Sequence, residues 1–168
     1  MELVPAARRH LQGDLTVRGY VSDRVHTWRL HDRVDPYGRR ALVVRTAGGW
    51  SQPELRSGGE FPLLYVDCWA DHTRNTGGDK QAEDNVTNAW AVYRAVDRLL
   101  QGVREQQWGA VGSDAGLPIV SVERWSEPVP QTAGDSHGDA RSSMSLPYPV
   151  PVGEAAVVTV AYAIHTHH

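Results

Sequence analysis

The chain has 168 residues, 18.5 kDa and a net charge of −3 from 17 basic and 20 acidic side chains. That length suits a single domain that buries roughly 70% of its unfolded surface and needs no disulfide or structural metal to fold. The acidic balance argues against a nucleic-acid binder built on bulk charge, and Cys68, the only cysteine, cannot form an internal bridge.

Val4, Ala7, Leu11 and Leu15 fall at helical spacing with Pro5 in the first turn, which predicts a short N-terminal helix. No signal-length apolar run follows Arg8 and Arg9, and no window approaches a membrane span, so a protein made in a cytosol, with no membrane, is expected. Thr16 to Tyr37 scatters Val17, Tyr20, Val25, Trp28, Leu30 and Val34 among charges and reads as extended pieces and loop. Arg39–Arg45 has a β-branched centre and ends in Thr46-Ala47-Gly48-Gly49, a strand entering a turn. A second turn region, Gln52–Glu60, carries Pro53 and Gly58-Gly59.

Pro62–Ala70 is a strand with Leu64, Val66, Cys68 and Ala70 on one face and Leu63, Tyr65, Asp67 and Trp69 on the other. Cys68 then points to the core, where a lone cysteine is a small inert hydrophobe. After Asn75-Thr76-Gly77-Gly78, with Asp79 as N-cap, the positions Ala82, Val86, Ala89, Tyr93, Val96, Leu100 and Val103 step alternately by four and three. This predicts one long amphipathic helix over about 79–103. Two more strands are expected at Pro118–Trp125 and Glu154–Thr166. Between them, 126–153 holds five Pro, five Ser and three Gly in 28 residues and shows no periodic core face. Loops of that length are functional or disordered, and this arm is expected to lie against a neighbouring chain, an Ω-type loop within one chain being the alternative. The expected fold class is therefore α+β: a mainly antiparallel sheet of about four strands, the 79–103 helix on one face, a short N-terminal helix and the 126–153 arm, all within one domain spanning 1–168.

Candidate chemistry is thin. Ser136, His137 and Asp139 include triad residue types but stand almost adjacent, whereas a triad needs groups converging from separate rigid elements. Asp67, Asp71 and His72, with Asp79 beyond, offer carboxylates and an imidazole for metal-assisted or acid–base work; a solvated strand end followed by a helix cap is the plainer reading. His165, His167 and His168 could hold a stray metal without forming a selective site. Thr76–Lys80 precedes a helix but lacks the spacing of a phosphate loop. The expectation is a protein without catalytic, metal or cofactor residues. Sixteen Arg and six Trp, by contrast, are well suited to protein interfaces.

The strand ending VVRTAGGW (Val43–Trp50), the strand PLLYVDCWA, the helix QAEDNVTNAWAVYRAVDRLL, then VERWSEPVP and a final AAVVTVAYAI together resemble the tail terminator proteins of long-tailed bacteriophages, especially those of actinobacterial hosts. The likeness covers roughly 39–165; the long arm and the His-rich end depart from it. It implies a virion protein, assembled in the host cytoplasm, that forms a homo-oligomeric, hexameric ring on the tail tube and stops its polymerisation. Its partners would be the tail tube protein and the head–tail connector or neck protein, with DNA passing through the lumen unbound. A ring contact is heterologous and needs two different patches per subunit. The expected patches are the Gly48–Glu60 turn, with Trp50 and Arg56, and the arm and its approach, with Trp125, Pro128, Pro130 and Tyr148. A neighbouring neck or head-completion protein is the alternative, and a small metal-assisted hydrolase using Asp67, Asp71 and His72 a third.

Overall fold

A computed structural model describes residues 2–29, 40–46, 61–70, 78–132 and 156–166, with side chains described for all of these except 78–84 and 131–132. The elements run α1 (Leu3–Gly13), α2 (Leu15–Val21), β1 (Val25–Thr27), β2 (Ala41–Thr46), β3 (Leu63–Ala70), α3 (Gly78–Leu100), β4 (Arg104–Trp108), β5 (Leu117–Arg124), β6 (Val129–Thr132) and β7 (Ala156–Thr166). This corrects the expected α+β fold with about four strands under one long helix. Over the described residues the protein is mixed α/β, with a curled seven-stranded sheet and three helices.

The sheet runs β1-β2-β3-β7-β5-β4, with β6 also on β7; β1 and β2 are parallel and the other pairs antiparallel. The centre is made by β3 and β7, the second of them dense in β-branched residues. In β3 and β7 the apolar side chains on both faces are buried, which explains why these strands read as nearly continuous apolar runs. One face, with Leu42, Val44, Leu64, Val66, Cys68, Val158, Val160, Tyr162 and Ile164, joins the helices in a single core. The opposite face carries Val43, Arg45, Tyr65, Asp67, Trp69, Val157, Thr159, Ala161 and Ala163, also buried but outside that core.

Helix α1 shows that the sheet is curled. It touches β1 and β2 near one end of the strand order and β4 at the other. In a flat sheet β1 and β4, five strand spacings apart, would lie about 24 Å from each other, twice the diameter of a helix. The sheet therefore wraps round the helices, and α1 sits in the seam between its ends.

Local chemistry explains where the elements differ from expectation. Helix α1 stops at Gly13 because Asp14 starts a new one: its Oδ1 accepts from Val17 N at 2.8 Å as the N-cap of α2, and Leu15, expected on the apolar face, is 83% exposed. Residues 16–21, expected as extended or loop, are thus helical, and 25–27 form β1. Helix α3 begins at Gly78, so Asp79 lies inside the helix rather than capping it. It ends at Leu100 instead of 103 because Gly102, at φ +77°, turns the chain out. On its buried face Asn85 takes the place expected for Val86, which is 38% exposed.

Strand β5 contains a bulge between Ile119 and Ser121. The bulge reverses the alternation, so that Ile119 and Val122 both enter the core and Arg124 falls on the helix side, where its Nη1 donates to Tyr93 Oη at 2.8 Å. Beyond β5 the chain kinks: Trp125 N and Ser126 N both donate to Ala161 O, Ser126 Oγ accepts from Ala161 N at 3.1 Å, and pairing with β7 resumes at Val129–Thr132. The first part of the expected arm therefore belongs to the sheet; 133–153 lies outside the described residues.

The β4–β5 hairpin depends on Gly116. Its φ is +74°, and a Cβ there would collide with the carbonyl oxygen of Trp108 and crowd Ala110 N. Gly116→Ala is expected to lower stability by about 1–3 kcal/mol, read as a fall in the urea midpoint at unchanged m-value.

Candidate subunit interface

The most exposed large aromatic described is Trp125, at 58%. Its backbone is pinned to Ala161 O at 2.8 Å, so the indole is held at the end of β5 rather than swinging on a loose chain. On its sheet side it meets Phe61, ring centroids 5.2 Å apart at 59°, and Phe61 meets His165 at 4.8 Å and 50°. All three belong to the sheet face opposite the helices: Phe61 continues the alternation of Tyr65 and Trp69, and His165 that of Ala161 and Ala163. Along the same edge, Val129 is 37% exposed, Pro130 is exposed and Pro128 half-buried. Burying the remaining Trp125 surface would contribute roughly 2–4 kcal/mol, the scale of an interface hot spot.

Of the residues expected at partner surfaces, Trp125 lies on the face opposite the helices, Pro130 pairs with Val158 of the helix-side face and is exposed, and Pro128 is half-buried between them; Trp50, Arg56 and Tyr148 lie outside the described residues. Phe61 and His165 complete the cluster and were not anticipated as its members. Strand alternation carried the signal, since Phe61 stands an even number of residues before Tyr65.

The sheet edges near this cluster are poor templates for strand addition. Pro130 removes a donor from β6. Strand β4 exposes Arg104, Glu105, Gln106 and Gln107, and Glu105 sits at φ +47°, out of strand geometry. Charges, prolines and local kinks are the usual guards of a sheet edge.

The candidate chemical sites fare differently. Asp67, taken from sequence as part of a strand-end acid cluster or a solvated terminus, is fully buried in the middle of the sheet. Arg45 Nε donates to its Oδ2 at 2.9 Å, Arg45 Nη2 to its Oδ1 at 3.1 Å, and Thr159 Oγ1 to its Oδ1 at 2.9 Å. Its carboxylate is committed to these partners. Asp71, His72, Ser136, His137, Asp139, His167 and His168 lie outside the described residues. Cys68 is buried, and burial, with Asp67 and Asp97 near, pushes its thiol well up, so it stays neutral and behaves as the small core hydrophobe expected. Among the described residues no three His, Cys, Asp or Glu side chains gather closely enough to hold a metal.

Compared with known protein families and with curated proteins, the sequence matches none.

One polar chain remains, on the helix side. Tyr162 Oη donates to Asp97 Oδ1 at 3.0 Å, Asp97 Oδ2 faces Arg124 Nη1 at 3.6 Å, and Arg124 in turn bonds Tyr93. Burial, then the Asp97 carboxylate, pushes the Tyr162 phenol far up, so it stays protonated and remains a donor. The chain ties α3 to β5 and β7 beside a shallow cavity of about 440 Å³ lined by Gln101–Arg104 and Ser121–Arg124. Among the described residues, no helix is long and apolar enough to cross a membrane.

Proposed function

We propose that the protein is a structural subunit of a long-tailed bacteriophage virion, a tail terminator that assembles into a hexameric ring on the tail tube, ends its polymerisation and meets the head connector or neck protein. The sequence likeness over roughly 39–165 supports the family. The observation that supports an assembling role is Trp125, an indole 58% exposed yet fixed to β7 and backed by Phe61 and His165. A lone monomer gains nothing from holding such a ring in water; a neighbouring subunit gains a rigid anchor. Because the nearby edges are guarded, the contact made at this cluster is one of side chains rather than a continued sheet.

The test is the mass in solution, alone and with tail tube protein. The intact chain is expected to form a ring, and tubes polymerised in its presence to stop short. Trp125→Ser is expected to keep the fold, with stability lowered by no more than about 1.5 kcal/mol, and to weaken assembly at least tenfold. A monomer at high concentration in both settings overturns the proposal. Binding to the head connector with no effect on tube length overturns the terminator role and places the chain in the neck.

A further inference from the structure

The geometry points to a latch at the seam of the curled sheet: His10 of α1, stacked on Trp108, holds the β4–β5 hairpin closed and releases it in acid. Helix α1 bridges the two ends of the sheet, so whatever joins it to β4 closes the fold. That junction consists of few groups. The His10 and Trp108 rings lie 4.7 Å apart and 12° from parallel, Arg9 Nη1 donates to Gly109 O at 3.2 Å, and Arg9 also faces Asp114 at 3.7 Å across the hairpin. The Arg9–Asp114 pair is about half exposed on both sides and contributes little, so the ring stack is the main tie.

His10 is suited to act as a titrating latch. Its Nε2 and the Nε1 of Trp108 are buried with no hydrogen-bond partner among the described residues. A proton added to the imidazole would enter a site prepared for a neutral ring. Among the described residues, the charged groups around the seam are Asp14 at the α1–α2 junction, Arg9 on the same helix and Asp114 on the hairpin. Asp14 and the carbonyl end of α1 favour the cation; burial opposes it and dominates, leaving the group below its ordinary 6.5. The sign follows from that direction. The unfolded or detached imidazole takes up its proton first, so closure is complete above about pH 6.5 and weakens as the pH falls from there toward the lower value of the closed state. The remaining strands pair without His10, so the hairpin opens before the centre of the sheet.

Hydrogen exchange of the intact chain, corrected for intrinsic rates and compared at about pH 7.5 and about pH 5, tests this. Protection over 104–117 is expected to drop by more than about twofold at the lower pH while 63–70 and 156–163 change less than about twofold. His10→Phe, which keeps a stacking ring but cannot titrate, is expected to abolish the difference. An NMR titration of the His10 ring should give a midpoint below 6.5. Unchanged hairpin protection, an equal loss over the whole sheet, an acid response that survives in His10→Phe, or a midpoint at or above 6.5 would each overturn the latch.

Discussion

Replacing Asp67 by alanine is expected to lower stability by about 3–5 kcal/mol, a large share of the 5–15 kcal/mol typical of a domain. The reason lies in what the substitution leaves behind. Arg45 is 3% exposed, and its guanidinium would keep its charge and its burial but lose both carboxylate oxygens, at 2.9 and 3.1 Å. Thr159 would lose its acceptor as well. The three residues lie on three adjacent strands. Asp67 stands directly opposite Thr159 in the β3–β7 register and diagonally across from Arg45 in the β2–β3 register, while Arg45 caps the ring of its own partner Tyr65 at 4.8 Å. A one-residue slip of β3 would move Asp67 to the helix side and break every one of these bonds.

A companion variant separates charge burial from packing. Arg45→Met combined with Asp67→Leu removes both charges and keeps apolar volume, and it is expected to be neutral or stabilising by up to about 4 kcal/mol. The check is a pair of urea transitions followed by two probes, to confirm that unfolding stays two-state. If Asp67→Ala costs less than about 1 kcal/mol, water reaches Arg45 and the face is not closed. If the apolar pair is as damaging as Asp67→Ala, packing rather than the unpaired charge sets the cost.

The sequence made the centre of the sheet legible and the margins obscure, for definite reasons. Leu63–Ala70 and Ala156–Thr166 are long, nearly unbroken apolar runs, the second dense in β-branched residues, and a run of that kind reads as a buried strand. Val25–Thr27 has three residues, too few for any period, and is a strand only because β2 lies beside it. Arg104–Trp108 reads REQQW, a polar run whose strand character comes from pairing with β5; its one buried residue, Trp108, carries the tertiary contact. Val129–Thr132 hides behind two prolines, and the bulge at Ile119–Ser121 defeats a strict alternation in β5. The turn signals themselves are in the sequence. Asp14 and Gly102 stand at the boundaries they set, the first as a cap accepting from Val17 N and the second in a left-handed turn. Asp67 was misplaced for a different reason: a carboxylate on a strand reads as solvent-facing unless its cation is known, and Arg45 lies 22 residues away in the chain.

The same reasoning sets the second large effect. Trp108→Ala is expected to lower stability by about 3–5 kcal/mol and the melting temperature by about 10 °C. Trp108 is fully buried, and among the described side chains it is one of the largest so enclosed. Truncating it leaves a cavity where the end of β4 meets α1 and removes the ring on which His10 stacks. The loss should also have a direction. Protection from exchange should fall first in 104–117 and in α1, whose contacts with β4 depend on that ring, and last in β3 and β7, which pair with each other over eight residues. Trp108→Phe keeps an aromatic ring for His10 and should recover more than half of the loss. The contrast with Trp125 is instructive, because the two side chains are chemically identical, one ending β4 and the other directly following β5. One is 0% exposed and its removal opens the fold; the other is 58% exposed and its removal should leave the fold intact while weakening assembly. Equal stability losses for the two variants would mean that Trp125 is part of the core, and the rim around Phe61 and His165 would then lose its standing as a subunit interface.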